Sequence, residues 1–441
     1  MNPIKKKIPV IFDVTRILNR GQRSTPTGID RVDLAYLQEL RLQKEISLHL
    51  IVFGGLGPRQ LTPSQASVFV DSVIQRWRID SAKEESGQKD AIEAWLNSSG
   101  ALPAGRIHAV SKSGFRRFHA NLSDRLDRLW AYLRARSFRL DVRNTAAIYL
   151  NTSHGQFFRP YVSKWLRATG IHAIFFIHDL IPIEHPEFNR KGEDAKHLLR
   201  MQVVSQFANY VIVNSEVTSA ALKSHLNKNR LRIPGIKAIS LGTDFSQRIE
   251  DRLPALQAER PYFVILSTIE PRKNHILLLR CWQKMVEELG QKAPRLIIIG
   301  RRGWNNERVF DFLDNSSLMG GHLLECNDLD DCEVAAIVRG ARALLMPSKA
   351  EGYSLSIIEA LQLGVPVIAS DIPIHREVAG EFAEYLDPDD VNLWVSRLIS
   401  YAKAASADMD LVRRNLANYS APTWRVHFQE AISIMRLVSK T

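Results

Sequence analysis

The chain has 441 residues, with 45% hydrophobic and 24% charged residues, which is ordinary for a globular protein and suggests two or three domains. No apolar run approaches the roughly eighteen residues of a membrane span, and Cys281, Cys326 and Cys332 lack metal-ligand spacing. The net charge of +12 favours anionic partners without choosing among nucleic acid, lipid and anionic substrate.

Apolar runs alternate with amphipathic segments along nearly the whole chain, which predicts an α/β protein built on parallel sheets. The first predicted strand is Ile8–Phe12. Lys5-Lys6-Lys7 precedes it, and so short an apolar run fits a buried strand better than a signal peptide. With the isolated cysteines, this points to a reducing, cytoplasmic setting. Next, Pro26-Thr27-Gly28-Ile29-Asp30-Arg31-Val32 leads into a helix. Gly28 lets backbone approach a ligand closely, and a plain N-cap is the competing reading. Strands follow at Leu48–Phe53, Ala147–Leu150, Ala173–Ile177 and Tyr210–Val213.

Residues 58–143 interrupt the alternation. They carry Phe115-Arg116-Arg117-Phe118-His119, then Arg125, Arg128, Trp130, Tyr132, Arg134, Arg136 and Arg139. Such a run suits an anionic membrane surface or nucleic acid. It also fits a solvated helix packing Leu122, Leu126, Leu129 and Leu133 on its domain. The polar stretch 250–260 reads as a linker. A second strand series then begins: Phe263–Leu266, Arg295–Ile299, His322–Leu324, Ala343–Met346 and Val365–Ala369. Pro422–Val438 reads as a terminal amphipathic helix. The predicted domains are 1–250, with an insertion at about 58–143, then 251–421, then a helix within 422–441.

Chemistry gathers at the predicted strand ends. After Ala343–Met346 comes Pro347-Ser348-Lys349-Ala350-Glu351-Gly352-Tyr353-Ser354-Leu355-Ser356-Ile357-Ile358-Glu359-Ala360, with seven residues between Glu351 and Glu359. A strand, a glycine-containing turn and a helix start form an anion site. Carboxylates beside it suit hydroxyl groups, because they only accept hydrogen bonds. Phosphates plus polyols describe a nucleotide sugar. The alternative is a buried helix start in which Ser356 and Glu359 form a capping box. Ser267-Thr268-Ile269-Glu270-Pro271-Arg272-Lys273-Asn274 follows another strand, and its Arg272 and Lys273 stand where a diphosphate would need neutralising. Gly300-Arg301-Arg302-Gly303-Trp304 closes the next strand, and His178-Asp179 ends a strand of the first half. His154 is a weaker candidate on the acceptor side. Asp328-x-Asp330, Asp387-x-Asp389 and Asp408-x-Asp410 stand apart from these motifs and read as loop and helix-start residues rather than a metal site.

The Glu351–Ala360 stretch resembles the signature of retaining glycosyltransferases of family 4, with Ser354 and Ser356 where that family usually has Gly and Pro. Residues 270–274 are similar to its Glu-Pro-Arg-Lys-Asn motif, residues 300–304 to its Gly-Lys-x-Gly-Trp turn, and His178-Asp179 to its His-Asp segment. Gly28–Arg31 resembles its glycine loop, with Asp30 where a second glycine is common, a change that could alter donor or acceptor choice. The resemblance covers Tyr262–Asp387 and, in the first half, Ile8–Leu40 and Ala147–Leu241.

The resemblance implies the GT-B arrangement: two Rossmann-like domains facing across a cleft, with the last helix crossing back to the first. It implies hexosyl transfer, with mannosyl or rhamnosyl favoured, from a nucleoside diphosphate sugar with retention of configuration and with no metal or other cofactor. Glu351 would contact the donor sugar, Glu359 the ribose, and His178 would position the sugar. Arg272 and Lys273 would meet the diphosphate. Gly28, Gly300, Arg301, Gly352, Tyr353, Ser354 and Leu355 would complete the donor site. The expected acceptor is a lipid-linked or other oligosaccharide of bacterial surface polysaccharide, met at the inner face of the plasma membrane. Nucleic acid is not an expected partner. A catalytically silent sugar-binding scaffold and a basic nucleic-acid-binding protein are the rival readings. Arg272, Lys273 and Glu351 speak against the first, and the paired-glutamate loop against the second.

Overall fold

A computed structural model describes residues 7–20, 26–54, 57–79, 88–98, 106–107, 136–137, 147–243, 254–327 and 329–440. The basic run 115–139 lies outside the described residues apart from 136–137. Among the described residues, no helix is long and apolar enough to cross a membrane.

Two sheets organise the chain. The first contains β1 (Ile8–Asp13), β2 (Ile46–Gly54), β3 (Gly57–Gln60), β5 (Arg136–Ser137), β6 (Ile148–Asn151), β7 (His172–Ile177), β8 (Ala208–Val213) and β9 (Gly235–Ala238), in the order β5-β3-β2-β1-β6-β7-β8-β9. From β2 to β9 all neighbours are parallel, while β3 and β5 extend the edge in antiparallel fashion. The second contains β4 (Arg106–Ile107), β10 (Tyr262–Leu266), β11 (Arg295–Ile299), β12 (Leu323–Cys326), β13 (Leu344–Met346), β14 (Val367–Ser370) and β15 (Ala383–Leu386). Its order is β15-β14-β13-β10-β11-β12-β4, all parallel. Parallel strands are covered on both faces and so read as continuous apolar runs. The Ile-rich β11 and the core of β7 are fully buried for that reason.

In both sheets the chain winds one way from a central strand and then returns to that strand's other side. The reversal falls between β1 and β6 in the first sheet and between β10 and β13 in the second. The crevice at the carboxyl ends of such a pair is where open α/β sheets bind ligands. This topology therefore places residues 13–16 and 151–154 in one lobe, and 267–273 and 347–351 in the other, at the working ends.

The segment 58–143 does not belong wholly to the first lobe, contrary to the sequence expectation. β3 and β5 do join the first sheet, but β4 pairs with β12 of the second. The helix Gln88–Leu96 also docks there. Its Ile92, Trp95 and Leu96 complete the core formed with Tyr262, Val264, Ile297 and Leu324. Trp95 Nε1 donates to Gly320 O at 2.6 Å, and the Arg295 guanidinium lies 4.6 Å from the Trp95 ring centre while donating to the Trp95 and Ser98 carbonyls. The apolar face of this helix found its complement about 200 residues further along the chain, as the Arg295–Trp95 bond shows.

The helix Trp424–Val438 packs Phe428, Ala431, Ile432 and Met435 into the first-lobe core. His427 is fully enclosed, with Nε2 bonded to Tyr36 Oη at 2.8 Å and Nδ1 donating to Ser240 O at 3.0 Å. Backbone passes so close that a Cβ on Gly242 would lie 2.1 Å from Trp424 N.

Candidate functional site

The loop after β13 and the loop after β10 are stapled together before any ligand is considered. Asn274, in left-handed backbone (φ 55°), donates from Nδ2 to Pro347 O at 3.1 Å and to Pro388 O at 2.9 Å. Lys349 N donates to Arg272 O at 2.8 Å. Asn tolerates this backbone better than most residues, which gives the Asn of the motif a structural task.

The staple brings the charged side chains together. Glu351 is 4% exposed, and its Oε2 lies 2.5 Å from Arg272 Nη1. Its Oε1 accepts from Lys273 Nζ and, at 2.8 Å, from Ser348 Oγ. Arg272 also pairs with Glu270 at 2.7 Å and donates to Ala350 O at 3.0 Å. Burial pushes the Glu351 carboxyl up, but Arg272 and Lys273 outweigh it and hold the group well below the usual carboxylate range. A carboxylate offers about four lone-pair sites, and three are used here, which leaves room for one further hydroxyl. Arg272 and Lys273 together carry about eight N–H donors, and these bonds use four, so both cations keep capacity for an added anion.

Glu359 lies one helix turn on, in the helix Leu355–Gln362, and is nearly buried. Its Oε1 accepts from Arg31 Nη1 of the first lobe at 3.0 Å, and the same guanidinium reaches Asp331 at 3.1 Å. Ser356 and Glu359 do not form a capping box. The N-cap is Ser354, and the Ser356 hydroxyl donates to Leu266 O at 3.1 Å, tying the helix to β10. Glu359 and Ser356 line a narrow crevice with Leu266, Val334 and Ala360 that is too tight to hold a water molecule.

The first lobe closes over this loop. A Cβ on Gly352 would lie 3.0 Å from His178 O and 3.2 Å from Asp179 Oδ2, so a side chain here would press on the facing backbone. Gly28 also faces the second lobe, where a Cβ would make ordinary contact with Leu355 at 3.7 Å. His178 is buried. Its Nε2 donates to Thr152 O at 2.7 Å, which leaves Nδ1 as an acceptor, and burial holds the ring down to about 4 despite that carbonyl. His154 Nε2 accepts from His178 N at 2.8 Å, and His197 Nε2 donates to Asp179 O at 3.1 Å, so three imidazoles brace the end of β7.

Several expected donor residues have other employment. Tyr353 is enclosed in the first-lobe core, with its hydroxyl donating to Leu241 O at 3.3 Å. It therefore anchors the lobes to each other through its ring. Gly300 is required because a Cβ would sit 1.9 Å from Ser267 O. Arg301 is exposed, while its neighbour Arg302 is held by Glu325 and Asp314. Asp30, expected to alter ligand choice, is 1% exposed, neutralised by Arg16 at 2.9 Å and Arg20 at 3.0 Å, and bonded to Thr27 N at 2.9 Å. It closes the helix start Gly28–Leu42. Asp330 likewise caps the helix Asp331–Gly340, accepting from Glu333 N at 2.8 Å. No group of His, Cys, Asp and Glu suited to a metal occurs among the described residues.

The structure also brings forward residues that motif reading passed over. Asp13 and Asp33 are buried at the β1/β6 reversal. Asp13 accepts from Thr15, Tyr149 and Asn151, and Asp33 Oδ1 accepts from Thr152 Oγ1 at 2.6 Å. Asp33 Oδ2 has no hydrogen-bond partner among the described residues. Burial, opposed by Arg16 at 3.9 Å and by Thr152, pushes Asp33 up to about 8. Acidic residues at the end of β1 and in the second turn of the helix Gly28–Leu42 were the available signal, but their depth was not.

Residues 247–414 match the family described as glycosyl transferases group 1, so the second lobe carries a glycosyltransferase domain. The chain is similar to the serotype-specific mannosyltransferase WbdA of Escherichia coli, 28% identical over 242 residues, or 51% of this chain and 29% of WbdA. It thus spans under a third of that relative. It is also similar to O-antigen chain mannosyltransferase B of Escherichia coli, 25% identical over 271 residues, or 60% of this chain and 70% of the relative. Among solved structures, HepE of Anabaena in complex with UDP and glucose aligns with a TM-score of 0.57 at 12% identity, over 97% of this chain and 100% of HepE. Sucrose-phosphate synthase of Thermosynechococcus elongatus aligns with a TM-score of 0.56 at 14% identity, over 99% of this chain and 100% of the synthase. At such identities the likeness establishes the fold: two Rossmann-like lobes in the GT-B arrangement.

Proposed function

We propose that this protein transfers a hexosyl group from a nucleoside diphosphate sugar to a hydroxyl of a lipid-linked or other oligosaccharide in bacterial surface polysaccharide synthesis. The observation that carries this reading is the buried Glu351, held by Arg272 and Lys273 at the β10/β13 reversal. A mannosyl donor is favoured, because WbdA and O-antigen chain mannosyltransferase B are both named mannosyltransferases. Rhamnosyl transfer is the next reading.

The donor diphosphate lies against Arg272, Lys273 and the N-terminus of the helix Leu355–Gln362. Charge that builds on the leaving phosphate meets cations already fixed by Glu270 and Glu351, so little reorganisation is needed. Because these cations supply the counter-charge, the reaction needs no metal. Glu351 accepts one sugar hydroxyl at its remaining site. His178 is neutral and fixed through Nε2, so its Nδ1 accepts from the sugar. Glu359 takes the ribose hydroxyls, exchanging part of its bond to Arg31. The crevice beside Glu359 is too tight to hold even a water molecule, so the lobes part to admit the donor and close on it. Transfer retains configuration, with attack on the face the phosphate leaves. The acceptor meets the enzyme at the cytoplasmic face of the membrane, and the basic segment 115–139 adds electrostatic attraction to anionic lipid.

The test is a panel of nucleotide sugars. GDP-mannose is expected to raise the Tm most, and transfer to an acceptor glycan is expected to persist in excess EDTA with an axial product. Donor binding without turnover on any acceptor glycan would favour a silent sugar-binding scaffold. Activity lost in EDTA and restored by Mg²⁺ or Mn²⁺ would end the metal-free proposal.

A further inference from the structure

The sequence suggests His154 as an acceptor-side candidate, but the structure gives its ring another task. His154 stands three residues after β6 in left-handed backbone (φ 54°), which strains a residue carrying a Cβ. Its ring centre lies 5.0 Å from that of His178 and 5.1 Å from that of His197. Each imidazole in this group has a partner that can play only one part, so each tautomer is fixed. His154 Nε2 meets the backbone N–H of His178 at 2.8 Å, which only donates, so the His154 proton sits on Nδ1. His178 Nε2 meets Thr152 O, which only accepts, so its Nδ1 is bare. His197 Nδ1 meets Arg200 Nη1 at 3.2 Å, which only donates, so its proton sits on Nε2 and bonds Asp179 O.

These bonds converge on His178. β7 ends at Ile177, so the N–H of His178 lies past the sheet ladder, and it bonds the ring of His154 instead. The carbonyl of His178 accepts from Asn214 Nδ2 at 2.8 Å, and its ring is held by Thr152, whose hydroxyl is tied to Asp33. A proton on His154 Nε2 would break the first of these bonds. Burial, with His178, His197, Arg200 and Arg16 around the ring, holds His154 well below the ordinary histidine value and keeps that nitrogen an acceptor. Burial and Arg200 likewise hold His197 down to about 3.

We infer that His154 is a positioning residue for His178: its Nε2 fixes the His178 backbone, and with it the direction in which the bare Nδ1 meets the donor sugar. The inference rests on the role of His178 given under Proposed function.

Substitutions at His154 separate its hydrogen bond from its backbone. His154→Gln keeps an acceptor at about the reach of Nε2 and keeps the strain. His154→Gly removes the acceptor and the strain together. His154→Asn also suits the left-handed turn, but its side chain is too short to reach. In a donor assay, His154→Gln is expected within about threefold of wild-type kcat, while the Gly and Asn variants lose about 10-fold or more, the scale of a misplaced reacting group. Donor KM and the affinity for GDP and UDP stay within about twofold in every variant, since the lost interaction acts in the transition state. A merely structural histidine would lower the Tm and leave kcat of the folded enzyme intact. Nitrogen-15 NMR of the His178 ring, assigned with His178→Gln, gives a readout free of turnover. Wild type and His154→Gln are expected to show the Nε2–H tautomer, and the Gly and Asn variants shifted resonances. Wild-type kcat in the Gly and Asn variants would overturn the proposal. So would an equal loss in His154→Gln, a loss falling on KM, or one His178 spectrum in all variants. Should His154→Gly fail to fold, His154→Asn decides. Wild type that turns over no donor on any acceptor glycan would sink the reading under Proposed function, while the His178 spectra would still decide whether His154 holds that ring.

Discussion

Glu351 beside one sheet's reversal and Asp33 beside the other's are carboxyls buried to the same degree, 4% and 2% exposed, yet they sit in opposite electrostatic settings. The second lobe sets two cations against Glu351 and keeps it ionised. The first lobe gives Asp33 one neutral donor, Thr152 Oγ1, with Arg16 3.9 Å away, so burial wins and pushes its carboxyl up to about 8. Two cations hold the charge at Glu351, and burial suppresses it at Asp33.

Breaking the cationic side has the largest expected effect. Lys273→Ala should lower turnover by ~10²-fold or more, the range seen when a partner of developing charge is removed. Turnover within about threefold of wild type in a steady-state donor assay would show that the cation does not serve the reaction.

The two glutamates of the second lobe sharpen the contrast next. Glu351→Gln should cut kcat by about 10-fold or more while nucleoside diphosphate affinity stays near wild type, because the sugar contact strengthens as the bond breaks. Glu359→Gln should instead raise donor KM and weaken the free nucleoside diphosphate, having removed binding shared by ground and transition states. Kinetics with parallel calorimetry would expose reversed roles.

The pH dependence of stability tests both lobes at once. Asp33 has a folded value near 8 against an ordinary 3.8, so folding takes up a proton across that window, and stability from this group falls as pH rises through it. Asp33→Asn should therefore match wild type near pH 4 and gain on it towards pH 8, by about 1–3 kcal/mol in denaturant titrations. Glu351 runs the other way: its folded value is depressed, so its contribution is present above the ordinary 4.5 and is lost as pH falls below it. A wild-type-minus-variant gap that does not change with pH would remove the buried-acid account of the first lobe.

The smallest effect belongs to the bridge between the lobes. Arg31 is 27% exposed and pairs with Glu359 and Asp331. Partly solvated pairs are worth about 1 kcal/mol or less. Arg31→Ala should lower the Tm by only a degree or two and shift donor KM by a few-fold with kcat unchanged. A large loss of kcat would move Arg31 into the reacting centre.

The motif residues 270–274 and 351–359 were legible because each is a short stretch fixed by a strand end, a turn and a helix start. The buried strands were legible for a similar reason, since fully covered parallel strands show as unbroken apolar runs. What stayed hidden involves pairs far apart in the chain. Nothing near Arg31 announces Glu359, and nothing near Trp95 announces Arg295. Asp30 looked like an altered ligand contact because it stands where the resembling loop commonly has a second glycine, whereas Arg16 and Arg20 hold it inward. Tyr353 sits inside a ligand-like motif, but its ring is captured by the opposite lobe.

The sequence by itself therefore determined two α/β series, their strands, and which loops carry carboxylates and cations, because these follow from local periodicity and from residue chemistry. The tertiary structure decided which carboxyl keeps its charge and which lobe receives the insertion helix. Those outcomes depend on burial and on partners brought from distant parts of the chain. Desolvation and Coulomb attraction are set by that three-dimensional neighbourhood and not by sequence spacing.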